Sequence, residues 1–160
     1  MMTSEIAAYA SQLRSLLDRL CETVQGLDEA QLNRRPPIGG ANSAYVVMTH
    51  TLGNARAWVL GIACGRPIER DRPAEFRALG RDASALLAGA QRLSNEIAAA
   101  LSALSPSDLE QRLVPPRSLW GEGDPHEVSR REAILHVIEH ASIHLGHLQM
   151  TRDWAHQAPR

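Results

Sequence analysis

The sequence predicts an all-α fold, a four-helix bundle with long connections between its helices, and three observations predict it. Apolar residues recur at helical spacing in four long segments. The chain is 44% hydrophobic with only three tryptophans, two tyrosines and one phenylalanine, so its core must come largely from Leu, Ala, Ile and Val, which suits packed helices better than a sheet sandwich. Proline, glycine and charge clusters separate the segments. At 160 residues the chain is expected to form one domain, 1–160.

The first helix is expected over residues 4–25, where Ile6, Tyr9, Leu13, Leu16, Leu17, Leu20 and Val24 fall at three-and-four spacing. Gly26 and Asp28 punctuate it, and Leu32 to Ala41, with two prolines and two glycines, reads as an ordered loop. Asn42 or Ser43 can cap a second helix from Ser43 to Ala63 carrying Val46, Val47, His50, Asn54, Ala57 and Trp58. GRPIERDRPAEF is charged and proline-broken. A third helix from Asp82 to Leu104 has Leu86, Leu87, Leu93, Ile97, Leu101 and Leu104 as its stripe. Ser105 and Pro106 look like the N-cap and first residue of a short turn, Ser107 to Leu113, followed by a Pro/Gly-rich loop from Pro115 to Val128. Ser129 and Glu132 read as a capping box opening the last helix, to about Ala155. No solenoid-period repeat is visible.

A formal charge of −1, from 17 basic and 18 acidic residues scattered along the chain, sets up no field that draws in a polyanion or an anionic membrane. No nucleic-acid or membrane partner is expected. Cys21 and Cys64 lie in apolar helical contexts and suggest core thiols in a reducing compartment. The opening MMTSEIAAYA lacks a secretory pattern, and no stretch approaches the roughly 20 apolar residues that span a bilayer, so the expected location is the cytoplasm.

The chemistry concentrates in the last helix. His136, His140, His144 and His147 share one face, within an arc of about 80° at 100° per residue, and imidazoles at i and i+4 can converge on one ion. A single helical histidine is more often a satisfied interior or surface residue. Four buried without partners would be costly, since each imidazole has a donor and an acceptor to satisfy. Spacing alone leaves a metal site and a hydrogen-bonded polar core both open. His50 is the candidate from another element, among apolar neighbours on the second helix, and a lone histidine there is as readily structural as ligating.

The chain resembles the DinB family of four-helix bundle proteins (the DinB/YfiT-like type). The resemblance spans nearly the whole chain and rests on LNRRPPIGGANSAYVVMTHTLGNARAWVLG, on RDRPAEF, and most specifically on REAILHVIEHASIHLGHLQMTR, which contains the family's His-x-x-x-His-x-Gly run. It implies a divalent metal held by His50 from the second helix and by His140 and His144 from the last, with an open position as in catalytic sites. Zinc or nickel is the ion expected, and iron is admitted, because imidazole ligands do not discriminate sharply. Many relatives carry Gln after the glycine, where this chain has His147. His136 and His147 are candidates for a supporting hydrogen bond or a further ligand. His126 sits in a loop able to fold over the site, and His156 is expected in solvent.

Asn54, Arg56, Trp58 and Arg152 are candidates for contacting substrate or thiol, and Arg70 and Arg72 for reading a carboxylate. Surface ion pairing and packing are the plainer roles for each. Trp120 and Trp154 are further possible pocket walls. Because the family includes thiol-dependent enzymes such as mycothiol-dependent maleylpyruvate isomerase and bacillithiol transferases, the resemblance implies a metal-dependent enzyme that activates a low-molecular-weight thiol or water for transfer, isomerisation or hydrolysis of a small molecule. The alternative is a non-catalytic, stress-related small-molecule-binding module with a structural metal. Neither Glu139, off the histidine face, nor Glu132, in the cap, offers a general base. Ile134, Ile138 and Leu145 beside the histidines suggest a homodimer surface, unless they are the bundle's own core.

Overall fold

The computed structural model describes residues 3–157. Helix α1, Ser4–Val24, is capped by Thr3, whose side chain accepts from the Ile6 amide, and it buries Ile6, Leu13, Leu16, Leu17, Leu20 and Val24. Gly26, at φ +83°, makes the left-handed turn that ends it. A short helix follows that periodicity did not reveal: α2, Glu29–Asn33, held by a reciprocal capping box between Asp28 and Gln31, with Leu32 buried beneath it. The expected loop therefore begins two residues later than read.

Ser43 caps α3, Ala44–Ala55, which continues without a break as a π-helical segment, Arg56–Ala63. The predicted helix is present over its whole length, but its second half is wound more widely, a feature often found at functional sites. Helix α4, Arg72–Glu75, is a single turn capped by Asp71 inside the stretch read only as proline-broken, and it packs against α3. Helix α5, Ser84–Ser102, buries Leu86, Leu93, Ile97 and Leu101 as expected.

The next expectation fails. The turn after Ser105 and Pro106 stops at Leu109 as α6, Pro106–Leu109, and Arg112 and Leu113 are not helical. They form β1, Arg112–Leu113, antiparallel to β2, Val128–Ser129, with Arg112 opposite Ser129 and Leu113 opposite Val128. Prolines 115 and 116 stop any further turn, while the Arg130 amide donates to the Gln111 carbonyl and fastens the two ends of the intervening loop together. That loop is thus a closed flap. Helix α7, Arg130–Gln157, starts at the predicted box, with the Ser129 amide donating to Glu132 and the Glu132 amide to Ser129 Oγ.

Helix α1 packs on α5 and α7, and α3 with its π segment packs on α7, so the long helices share one hydrophobic core in which Leu20, Met48, Ile97, Leu101, Ile134 and Leu148 are fully buried. Ile134 and Leu145 lie in that core and Ile138 packs against it. They are not partner surface; the apolar residues that α7 exposes are Leu135, Ile143 and Met150. Among the described residues no helix is long and apolar enough to cross a membrane. Truncating Ile134 to alanine opens a cavity beside the histidine stripe, and equilibrium denaturation is expected to show a loss of about 2 to 5 kcal/mol.

Candidate metal centre

Three i, i+4 or i, i+3 steps along α7 set its histidine rings in a row: the centroids of His136 and His140 are 5.6 Å apart, those of His140 and His144 4.3 Å, and those of His144 and His147 5.5 Å. Across from this row α3 presents His50, buried, with its ring 5.1 Å from that of His140 and 5.3 Å from that of His144. Nε2 of His50 is 3.2 Å from Nε2 of His140, and one nitrogen from each of His50, His140 and His144 lies within 4.8 Å of the others. Ligands at 2.0 to 2.1 Å from a tetrahedral zinc stand about 3.3 Å apart. These three histidines are positioned to hold a metal ion.

Electrostatics agree with geometry. Burial, reinforced by His144, His50, His136 and Arg70, pushes the His140 pKa down to about 2. Burial, then His50 and His147, pushes His144 down to about 4, and burial lowers His136 as well. Neutral imidazoles keep the lone pairs that a cation needs. Nδ1 of His140 and Nδ1 of His144 are buried with no hydrogen-bond partner in the described structure, so no protein hydrogen bond accounts for bringing these rings together. The residues fit a divalent cation.

His136 and His147 flank the three rather than join them. His136 stacks on Trp58 with ring centroids 3.9 Å apart and has Nε2 3.4 Å from Asn54 Nδ2, whereas His147 is exposed beside His144. His156 is exposed, with Nδ1 3.0 Å from Gln31 Nε2.

The carboxylate that sequence reading missed is Glu75. It comes from α4, and its Oε2 lies 2.8 Å from Nδ1 of His50. Arg70 grips the same carboxylate with two donors, Nε to Oε1 at 2.8 Å and Nη2 to Oε2 at 2.9 Å. Burial works to raise the Glu75 pKa, but the bonds from His50 and Arg70 outweigh it and hold the group below its ordinary value. Phe76 closes over the His50 ring at 4.7 Å. The only cue in the sequence was local, Asp71 and Pro73 marking a helical turn; nothing fixes the distance from His50 to a carboxylate 25 residues on.

A cavity of about 390 Å³ opens onto His50 and His140, lined by Asn54, Trp58, Arg70 and Arg72 and roofed by Trp120 and His126 of the flap. Trp120 and His126 meet edge to face at 4.7 Å, and Trp120 Nε1 donates to the Glu122 carbonyl. Of the candidate substrate contacts, Asn54 and Trp58 are on the cavity wall. Arg56 and Arg152 are not: Arg56 pairs with Glu96 and Arg152 with Asp153 at the surface, the plainer role. Glu132 also reaches the cavity, yet it is engaged by the Ser129 amide and by Arg112. Both cysteines are half-buried and free, neither lines this cavity, and burial pushes Cys64 up to about 11.

With this geometry in place, the comparison by sequence is informative: the family model described as DinB superfamily matches residues 12–148. No curated protein matches the chain.

Proposed function

This chain belongs to the DinB superfamily, and on that premise we propose that it is a metal-dependent enzyme whose ion is held by His50, His140 and His144 and which joins a low-molecular-weight thiol to a small electrophile. The observation that carries the proposal is the set of three imidazole nitrogens, from two helices, within 4.8 Å of one another, with His50 and His140 at the wall of an open cavity. A zinc or nickel ion, or iron, would supply a Lewis acid there that lowers the pKa of a thiol or water in its free position. The chain's own residues favour the thiol. Glu75 is engaged by His50 and Arg70, Glu132 by the α7 cap and Glu122, on the cavity rim, by Arg72, so among the described residues each carboxylate at the site already has a partner and none is aimed at the histidines as a general base on water. Cys64, its pKa pushed up to about 11, and Cys21 lie outside the cavity, so the sulfur nucleophile comes from a bound small molecule. Trp58, Trp120 and His126 offer flat walls on which an electrophile can rest, with Asn54 beside them.

The test is thioether formation from a panel of low-molecular-weight thiols and chlorodinitrobenzene. Metal-loaded protein is expected to consume the thiol, and the metal-stripped protein and His140→Ala are expected not to. A folded, metal-loaded protein that binds thiols but consumes none would instead support the small-molecule-binding module. We also read 1–160 as one domain working as a homodimer, with Leu135, Ile143 and Met150 of α7 on offer to the second copy; a monomer in sedimentation equilibrium would overturn that part alone.

A further inference from the structure

We propose that Glu75 is a positioning residue for the metal site, fixing the tautomer and orientation of His50, and that Gly53 is the place on α3 that admits it. The inference rests on reading His50 as a ligand. A carboxylate 2.8 Å from Nδ1 accepts the proton there and leaves the ring's lone pair on Nε2. Nε2 is also the nitrogen 3.2 Å from His140, on the side where the three imidazoles meet. Arg70, by gripping both oxygens, keeps the carboxylate from rotating away.

Ion pairing accounts for Arg70 and Glu75, but it does not account for Gly53. This glycine stands in mid-helix, one turn after His50, where alanine would be the better helix former. No left-handed backbone requires it, since its φ is not positive. What requires it is space. A Cβ at this position would overlap Oε1 of Glu75 and lie 2.7 Å from Cδ, far inside van der Waals contact. The helix is bare at the one point where the carboxylate must pass to reach the ring behind it. Gly53 and Glu75 therefore act on the metal as one unit, through His50.

Zinc affinity of wild type, Gly53→Ala, Glu75→Ala and the double variant, measured by competition with a chromophoric chelator, tests this. Each single change is expected to weaken Zn²⁺ binding by about 10- to 100-fold, and the visible spectrum of the Co²⁺-loaded protein is expected to shift. The double variant is expected to be no weaker than the single ones, because the added methyl meets no carboxylate once Glu75 is truncated. Gly53→Ala keeps every charge, so it remains informative if stranding Arg70 makes Glu75→Ala misfold. Single variants that hold Zn²⁺ within about threefold of wild type, or losses that multiply in the double variant, overturn the positioning role while leaving the metal site standing. A wild type that binds Zn²⁺ no better than His50→Ala overturns both.

Discussion

His140→Ala is expected to weaken zinc binding by about three orders of magnitude while changing the stability of the metal-free protein by no more than about 1 kcal/mol. The two halves of this result come from one fact. The ring centroids of His50, His140 and His144 stand 4.3 to 5.3 Å apart, so removing His140 deletes one corner of a near-equilateral set of donors. A protein site for zinc gains on the order of 10 to 16 kcal/mol in all, and losing one imidazole of three forfeits on the order of 4 kcal/mol, a factor of about 10³. Without metal, however, the same ring is a liability. Its Nδ1 is buried without a partner, so the packing lost with the ring is offset by release of an unsatisfied polar group. Zinc at a thousand times its Kd should stabilise wild type by about 4 kcal/mol and should leave the variant's melting curve where it was. Isothermal titration and thermal melts with and without zinc, on both proteins, check it. A variant that still takes up zinc as wild type does would remove His140 from the site.

The second large effect is on acid stability. The pKa of His140 is pushed down to about 2 and that of His144 to about 4, from an ordinary 6.5. The sign follows from which state takes up protons first. Between 6.5 and these depressed values the unfolded chain binds protons that the folded chain refuses, so stability is complete above about 6.5 and falls as the pH drops. For His140 alone the slope is up to about 1.4 kcal/mol per pH unit. Glu75, held below its ordinary 4.5, contributes in the same direction only beneath that value, so the histidines are separable from it above pH 5. Urea denaturation of the metal-free protein is expected to show a loss of about 2 kcal/mol from pH 6.5 to 5 on account of His140, and His140→Ala is expected to flatten the curve by that share. Equal slopes in the two proteins would show that His140 is not a buried neutral imidazole.

The histidine row on α7 was readable because spacings of four, four and three repeat one turn of helix, and the capping pair of Ser129 and Glu132 was readable because its partners are three residues apart. His50 was a different case. Its side chain sits on an apolar face, which is also where a structural histidine would sit, and only resemblance paired it with His140 and His144. Arg56 and Arg152 are polar residues near the motifs, and the structure sends both to surface ion pairs. Glu75 went unseen among the charges of GRPIERDRPAEF. The pairing of Arg112 and Leu113 with Val128 and Ser129 joins two-residue strands, too short to carry an alternation of their own.

The sequence by itself determined the long helices, the caps of α3 and α7, the stripes that make the core and the row of imidazoles, because each of these is a pattern among residues within a turn or two of one another. Tertiary structure alone decided that His50 faces His140 and His144, that α4 delivers Glu75 through the gap at Gly53 to the back of the His50 ring, and that the flap sets Trp120 and His126 over the cavity. Such contacts join segments tens of residues apart, and their distances are set by how whole helices and loops dock on a common core. No local period in the chain encodes that.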